Sequence, residues 1–250
     1  MNLKEKFNEL TSKKYPAFLV LLSLCYTVFL IMSNLFDARQ ISIFGFSLVP
    51  GTFFFTITYL CSDVITEVYG YKYARLIIWL AFCFNIIYIA YSFIVYILPS
   101  PDYVTYHQAF KQLLSVNWRI VLGSFLSYLV AEPLNSYLVA KTKIWLQGKF
   151  IGIRFVISTI IAATIDSFIF AILAFSGIFP FAAVLNLGFH IMLAKCIIEI
   201  MIVPFSIRLS YYLKSKDKID RYDKDTNFTI LSLNTQYPDN TNYFGKTQKE

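Results

Sequence analysis

Six ionisable side chains stand inside otherwise apolar stretches of this sequence: Asp63, Glu67, Glu132, Asp166, Lys195 and Glu199. A charge near the centre of a membrane helix costs at least ~2.5–3.5 kcal/mol and usually faces a bundle interior or a water-filled path. Such groups suit ligand recognition: a carboxylate accepts two adjacent N–H donors, and an ammonium donates to an acceptor. Asp63 and Glu67 are four residues apart, as are Lys195 and Glu199, so each pair shares a helix face. Lys195 and Glu199 either neutralise each other or face a substrate. Asp63 and Glu67 read either as the polar end of a helix, with Glu67 paired to Lys72 or Arg75, or as a gate or ligand site. Asp166 has no basic partner on its own segment, and Glu132 precedes Pro133, which removes a backbone donor and favours a kink.

These residues sit in six apolar runs, at 15–35, 47–68, 76–98, 119–140, 155–179 and 185–213, each long enough to cross the hydrocarbon core. Hydrophobic residues make up 57% of the 250-residue chain and charged ones 15%. Soluble domains carry roughly 25% charge, so the composition excludes a soluble core of this size. With a rise of 1.5 Å per residue, Asp166 lies roughly 16 Å into its run, and Glu132 and Glu199 roughly 20 Å. The three acids and Lys195 therefore share a layer near the midplane, the depth at which carriers hold substrates.

Lysine and arginine set the orientation. Lys4, Lys6, Lys13 and Lys14 precede the first run; Lys72 and Arg75 follow the second; Lys141, Lys143, Lys149 and Arg154 follow the fourth; Arg208, Lys214, Lys216, Lys218 and Arg221 close the sixth. The alternate loops hold few basic residues, so both termini are expected in the cytoplasm. The net charge of +7 is spread along these flanks and is no nucleic-acid patch. The expected fold is an all-α polytopic membrane protein, a compact bundle of six transmembrane helices. Residues 1–214 form the transporter domain and 215–250 a polar, disordered cytoplasmic tail.

No nucleotide-binding loop, H-E-x-x-H or G-x-S-x-G motif is present. The two histidines, His107 and His190, are too sparse for a zinc site, and Cys25, Cys61, Cys83 and Cys196 have no metal or disulfide spacing. The expectation is a non-enzyme with no catalytic residue, metal or cofactor.

The stretch Ser62-Asp63-Val64-Ile65-Thr66-Glu67-Val68-Tyr69-Gly70, followed by Ala74-Arg75, resembles the queuosine precursor transporters of the vitamin-uptake-transporter type. It matches their S-D-x-x-x-E-V-Y-G-x-x-x-A-R pattern. Further similarities follow in order: Ser33-Asn34; Arg119, Ser124 and Tyr128; Ser158-Thr159 with Ile165-Asp166-Ser167 and Phe170; and Lys195, Glu199 and Pro204. The chain departs from the family at Glu132-Pro133-Leu134-Asn135, where Q-x-x-D is usual, and at Ala163, where Gln or Asn is usual. The resemblance implies import of deazaguanine bases across the bacterial inner membrane for queuosine salvage. It implies a substrate site drawn from Asn34, Asp63, Glu67, Glu132, Asp166, Lys195 and Glu199. The alternatives are a substrate-binding subunit of a multi-component uptake complex, or a carrier of another small polar heterocycle. The lipid bilayer is the expected surrounding; a homo-oligomer or an energising partner stays open.

Overall fold

The computed structural model describes residues 15–245 apart from 38 and 102. The N-terminal lysines Lys4, Lys6, Lys13 and Lys14 lie outside the described residues, as does the side chain of His107. Among the described residues six long helices form the body: α1 (Ala17–Phe36), α2 (Gly51–Tyr69), α3 (Tyr71–Ile97), α4 (His107–Trp145), α5 (Ile151–Phe175) and α6 (Phe181–Asp217). Each overlaps one of the six apolar runs. Four of them, α1, α3, α5 and α6, are long and apolar enough to cross a membrane by length and composition. Helices α2 and α4 carry more polar side chains, and Asp63, Glu67, Ser124, Ser127, Glu132, Asn135 and Ser136 among them are buried.

Between α1 and α2 the chain forms an antiparallel hairpin, β1 (Ile41–Ile43) with β2 (Phe46–Leu48), pairing Ile41 with Leu48 and Ile43 with Phe46. Its two turn residues, Phe44 and Gly45, both have positive φ (51° and 83°), as a tight two-residue hairpin turn requires. The hairpin rests on α6, where the Ser47 N–H donates to His190 Nδ1 (3.3 Å) and Phe46 meets the His190 ring edge-on. It marks one end of the bundle, the hairpin end. The opposite end holds Gly70, the α4–α5 turn and the C-terminal segment.

Helix α2 is the axis of the molecule. It is buried over nearly its whole length, between α1, α3, α4 and α6. Its start is pressed against α1: a Cβ on Gly51 would lie 2.2 Å from Asp37 Oδ1 and 2.3 Å from the Ser33 carbonyl, so no other residue fits. Polar residues fill the interior, whereas Leu21, Leu24 and Val28 of α1, Phe84, Ile87 and Tyr91 of α3, Ile153 and Ile157 of α5, and Ile197, Ile200 and Met201 of α6 face outward. Apolar outside and polar inside is the arrangement that a hydrocarbon surrounding favours.

Two expectations need correction. The fourth helix starts at His107 rather than near residue 119, and its 39 residues span roughly 58 Å, well beyond the bilayer core. Hydropathy marks only the membrane-crossing part of a helix that continues past it. The second concerns the C-terminal segment, expected to be disordered from residue 215. Helix α6 continues to Asp217, and residues beyond it lie against the end of the bundle with Tyr222, Asp223 and Thr241 buried. The cause is donors on α3. Arg75 donates to the carbonyls of Asn227 (2.8 Å), Thr229 (2.7 Å) and Asn234 (3.2 Å), and Trp79 to that of Ile230 (2.8 Å). A polar segment without its own core is held here by satisfied carbonyls and a few aromatic anchors.

Candidate functional site

Residues Phe55, Tyr59, Asp63 and Glu67 recur every four positions along α2, a stripe that rises roughly 18 Å from first to last. All four are buried. At the hairpin end, the Lys195 ammonium of α6 sits 4.1 Å from the Phe55 ring centroid and is hydrogen-bonded to Asp166 Oδ2 of α5. Lys195 therefore pairs with Asp166 across two helices, not with Glu199 along one. Of the two readings of Lys195 and Glu199, mutual neutralisation is corrected, and Asp166, with no basic partner on its own segment, takes one from α6. Sequence spacing reveals same-helix neighbours but not the lysine that a second helix brings across.

The Asp166–Lys195 pair opens on a narrow polar pocket lined also by Ser33, Asp37, Thr52, Ser124 and Ser127. Asp37 was missed by sequence reading because it stands just past the end of an apolar run, where an acid is unremarkable. It is only 6% exposed, and its Oδ1 has no hydrogen-bond partner among the described residues.

One turn further along α2 lies a layer of three acids. Asn135 Nδ2 donates to Asp63 Oδ1 (2.6 Å) and the Thr58 hydroxyl to Glu132 Oε1 (3.1 Å). The other oxygen of each carboxylate, and both oxygens of Glu199, lack a hydrogen-bond partner among the described residues. The spatial neighbours Thr58 and Tyr59 could not have been singled out, since threonine and tyrosine are plentiful in every run.

Glu67 belongs to a different arrangement. Arg154 Nη1 donates to its Oε2 (2.7 Å), Lys214 Nζ to its Oε1 (2.7 Å), and Lys143 Nζ lies 3.9 Å from Oε1. Lys143 and Lys214 also meet Asp220 Oδ1, at 2.6 and 2.9 Å. The expected partners Lys72 and Arg75 are turned away onto the C-terminal segment, Lys72 Nζ donating to the Gln236 carbonyl (2.7 Å). The even spread of cations on the loops gave no hint that three would converge on one acid. Asn34 is also set apart from the acids: its Nδ2 donates to Asn85 Oδ1 of α3 (3.1 Å).

This inward-facing polar stripe within a lipid-facing helical shell is the architecture of a small membrane carrier. The chain belongs to the family described as "Putative vitamin uptake transporter", whose model matches residues 50–209. It is a multi-pass protein of a bacterial membrane. It is similar to a curated protein from Bacillus subtilis (strain 168) named "Probable queuosine precursor transporter", at 24% identity over 179 residues, 70% of this chain and 77% of that one. No solved structure matches the chain.

Proposed function

We propose that the chain imports queuosine precursors of the deazaguanine type, with six membrane spans and both termini in the cytoplasm. The observation that carries this reading is the buried Asp166–Lys195 pair at the wall of a polar pocket. Asp166 Oδ1 has no hydrogen-bond partner among the described residues, although the residue is only 2% exposed. A guanine-like ring offers adjacent N–H donors to that carboxylate and acceptors to the ammonium. The serine and threonine hydroxyls around the pocket supply both kinds of bond. The relative named for a queuosine precursor supports the substrate class.

On this reading Asp166 and Lys195 touch the substrate first, and Asp63, Glu132 and Glu199 lie one turn further along its path. Glu67 acts at the end opposite the hairpin, holding the helices through its cations, and Asn34 fixes α1 to α3. Residues 1–214 make up the carrier, and the remainder covers its cytoplasmic end.

The test is uptake of a labelled deazaguanine base into a bacterial host unable to make it, with and without this gene. Gene-dependent accumulation is expected; equal uptake in both hosts contradicts the reading. Reporter fusions active only outside the cytoplasm should be silent at residue 220 and active after Leu185, and the reverse pattern overturns the topology.

A further inference from the structure

Charge in the interior does not balance above the Glu67 cluster. Asp63, Glu132, Asp166 and Glu199 are each at most 2% exposed, and Asp37 6%. Only Lys195 forms an ion pair with any of these among the described residues. Arg154 reaches Asp63 electrostatically, but its salt bridge goes to Glu67. An isolated ionised carboxylate away from water is far costlier than its neutral form, so the surplus acids must take up positive charge.

The geometry says where. The Tyr59 hydroxyl is fully buried and has no hydrogen-bond partner among the described residues. It lies within electrostatic reach of Asp166, Glu132, Asp63 and Glu199, acids from three other positions of the bundle and from its own helix. Glu199 of α6 and Asp63 of α2 act directly on each other. From α1 and α4, Tyr26 and Tyr128 stand beside Glu132, with the Tyr26 hydroxyl donating to Tyr128 Oη (2.9 Å). Cys61 and Cys196 complete the titratable surroundings. Among the described residues no three acid, histidine or cysteine side chains draw together as a metal-holding group. The acids are spread around a phenol, which suits protons carried singly better than one shared metal ion.

We propose that Asp63, Glu132 and Glu199, buried acids each with a carboxylate oxygen that lacks a hydrogen-bond partner among the described residues, form with the Tyr59 hydroxyl a proton-binding site through which a proton gradient drives transport. A proton arriving from the hairpin end binds a carboxylate oxygen, the substrate occupies the neighbouring Asp166–Lys195 pocket, and both leave at the opposite end. Only an O–H bond forms and breaks. The three cations around Glu67 bar a free proton from the far end until the helices separate there. Tyr59, between pocket and acids, is placed to link the two loads. This inference rests on the transport reading for its substrate, but not for its proton.

The full chain in proteoliposomes tests it with a labelled deazaguanine base as probe. An inward gradient of one pH unit, acid outside, should raise accumulation about tenfold over downhill exchange if one proton accompanies each substrate. A protonophore should abolish the rise, and lightly buffered vesicles should become more acidic inside as substrate enters. For Glu199→Gln, the ratio of gradient-driven uptake to exchange should fall to about one. Exchange that ignores the pH gradient, or that responds instead to an inward sodium gradient, overturns the proton site and leaves the carrier reading standing. Absence of exchange contradicts the substrate reading, and the proton site is then decided without substrate. Infrared spectra of the purified protein at neutral pH should show a protonated carboxylic-acid carbonyl band that weakens in Asp63→Asn and Glu199→Gln. An unchanged spectrum in both variants refutes it.

Discussion

Asp63 and Glu67 are acids of one helix, one turn apart on one face, and both are fully buried, yet they sit in opposite electrostatic settings. Glu67 is ringed by Arg154, Lys214 and Lys143, while Asp63 has one amide donor and a second oxygen with no hydrogen-bond partner among the described residues. Matched charge locks α2, α4, α5 and α6 together at one end of the bundle. Unmatched charge a turn away leaves groups free to bind something that comes and goes. Burial alone therefore does not separate a structural acid from a working one; the partner set does.

The contrast breaks hardest at Arg154. Arg154→Met leaves Glu67 short of one of its two closest cations, and removing one partner of a buried pair costs about 3–5 kcal/mol. A large fall in detergent melting temperature and in membrane level is expected; parental stability would show that the network does not hold the fold.

Next in size is Asp166→Asn. Losing one side of a buried charge pair costs roughly 2–5 kcal/mol in recognition, so uptake should drop by a factor of about 100. Lys195 can still donate to the amide oxygen, so the protein should persist in the membrane. Uptake equal to the parent would remove Asp166 from the site. Exchanging the pair, Asp166→Lys with Lys195→Asp, should restore protein level but not uptake. Lys195→Glu with Glu199→Lys should restore neither, because those two side chains are not each other's partners.

A smaller effect is expected where the C-terminal segment docks. Gly70 has φ +94°, and a Cβ there would lie 2.3 Å from Tyr237 Oη. Gly70→Ala should cost more than about 1 kcal/mol and make the segment easier to proteolyse. Tyr237→Phe is milder still, about 1 kcal/mol. Its hydroxyl donates to Asp223 Oδ1 (2.6 Å) and accepts from the Lys72 N–H (2.9 Å); burial, reinforced by that carboxylate, holds its proton well above the usual phenol range. Protease resistance unchanged in both variants would mean that the segment is not held at Gly70.

The six helices were legible in sequence because each is an apolar run long enough to register by itself. So was the set of buried acids, since a charge inside such a run stands out. Partners were not legible. Lys195 meets Asp166 twenty-nine positions away, and Lys214 meets Glu67 after 147. Such pairings depend on how helices rotate against each other, which periodicity within one helix does not encode. The hairpin at 41–48 and the docking of residues 218–245 were hidden for a related reason. Short strands leave little periodic signal, and a polar segment held by Arg75 and Trp79 has the composition of a disordered one.

The most direct measurement compares Asp63→Asn with Glu67→Gln in one host, scoring membrane level of folded protein and uptake of a labelled deazaguanine base. Asp63→Asn should reach parental level with uptake lost. Glu67→Gln should fail mainly by loss of folded protein, and whatever inserts should still transport. The opposite pattern, a folded but inactive Glu67→Gln beside an unstable Asp63→Asn, would contradict the division of labour along α2.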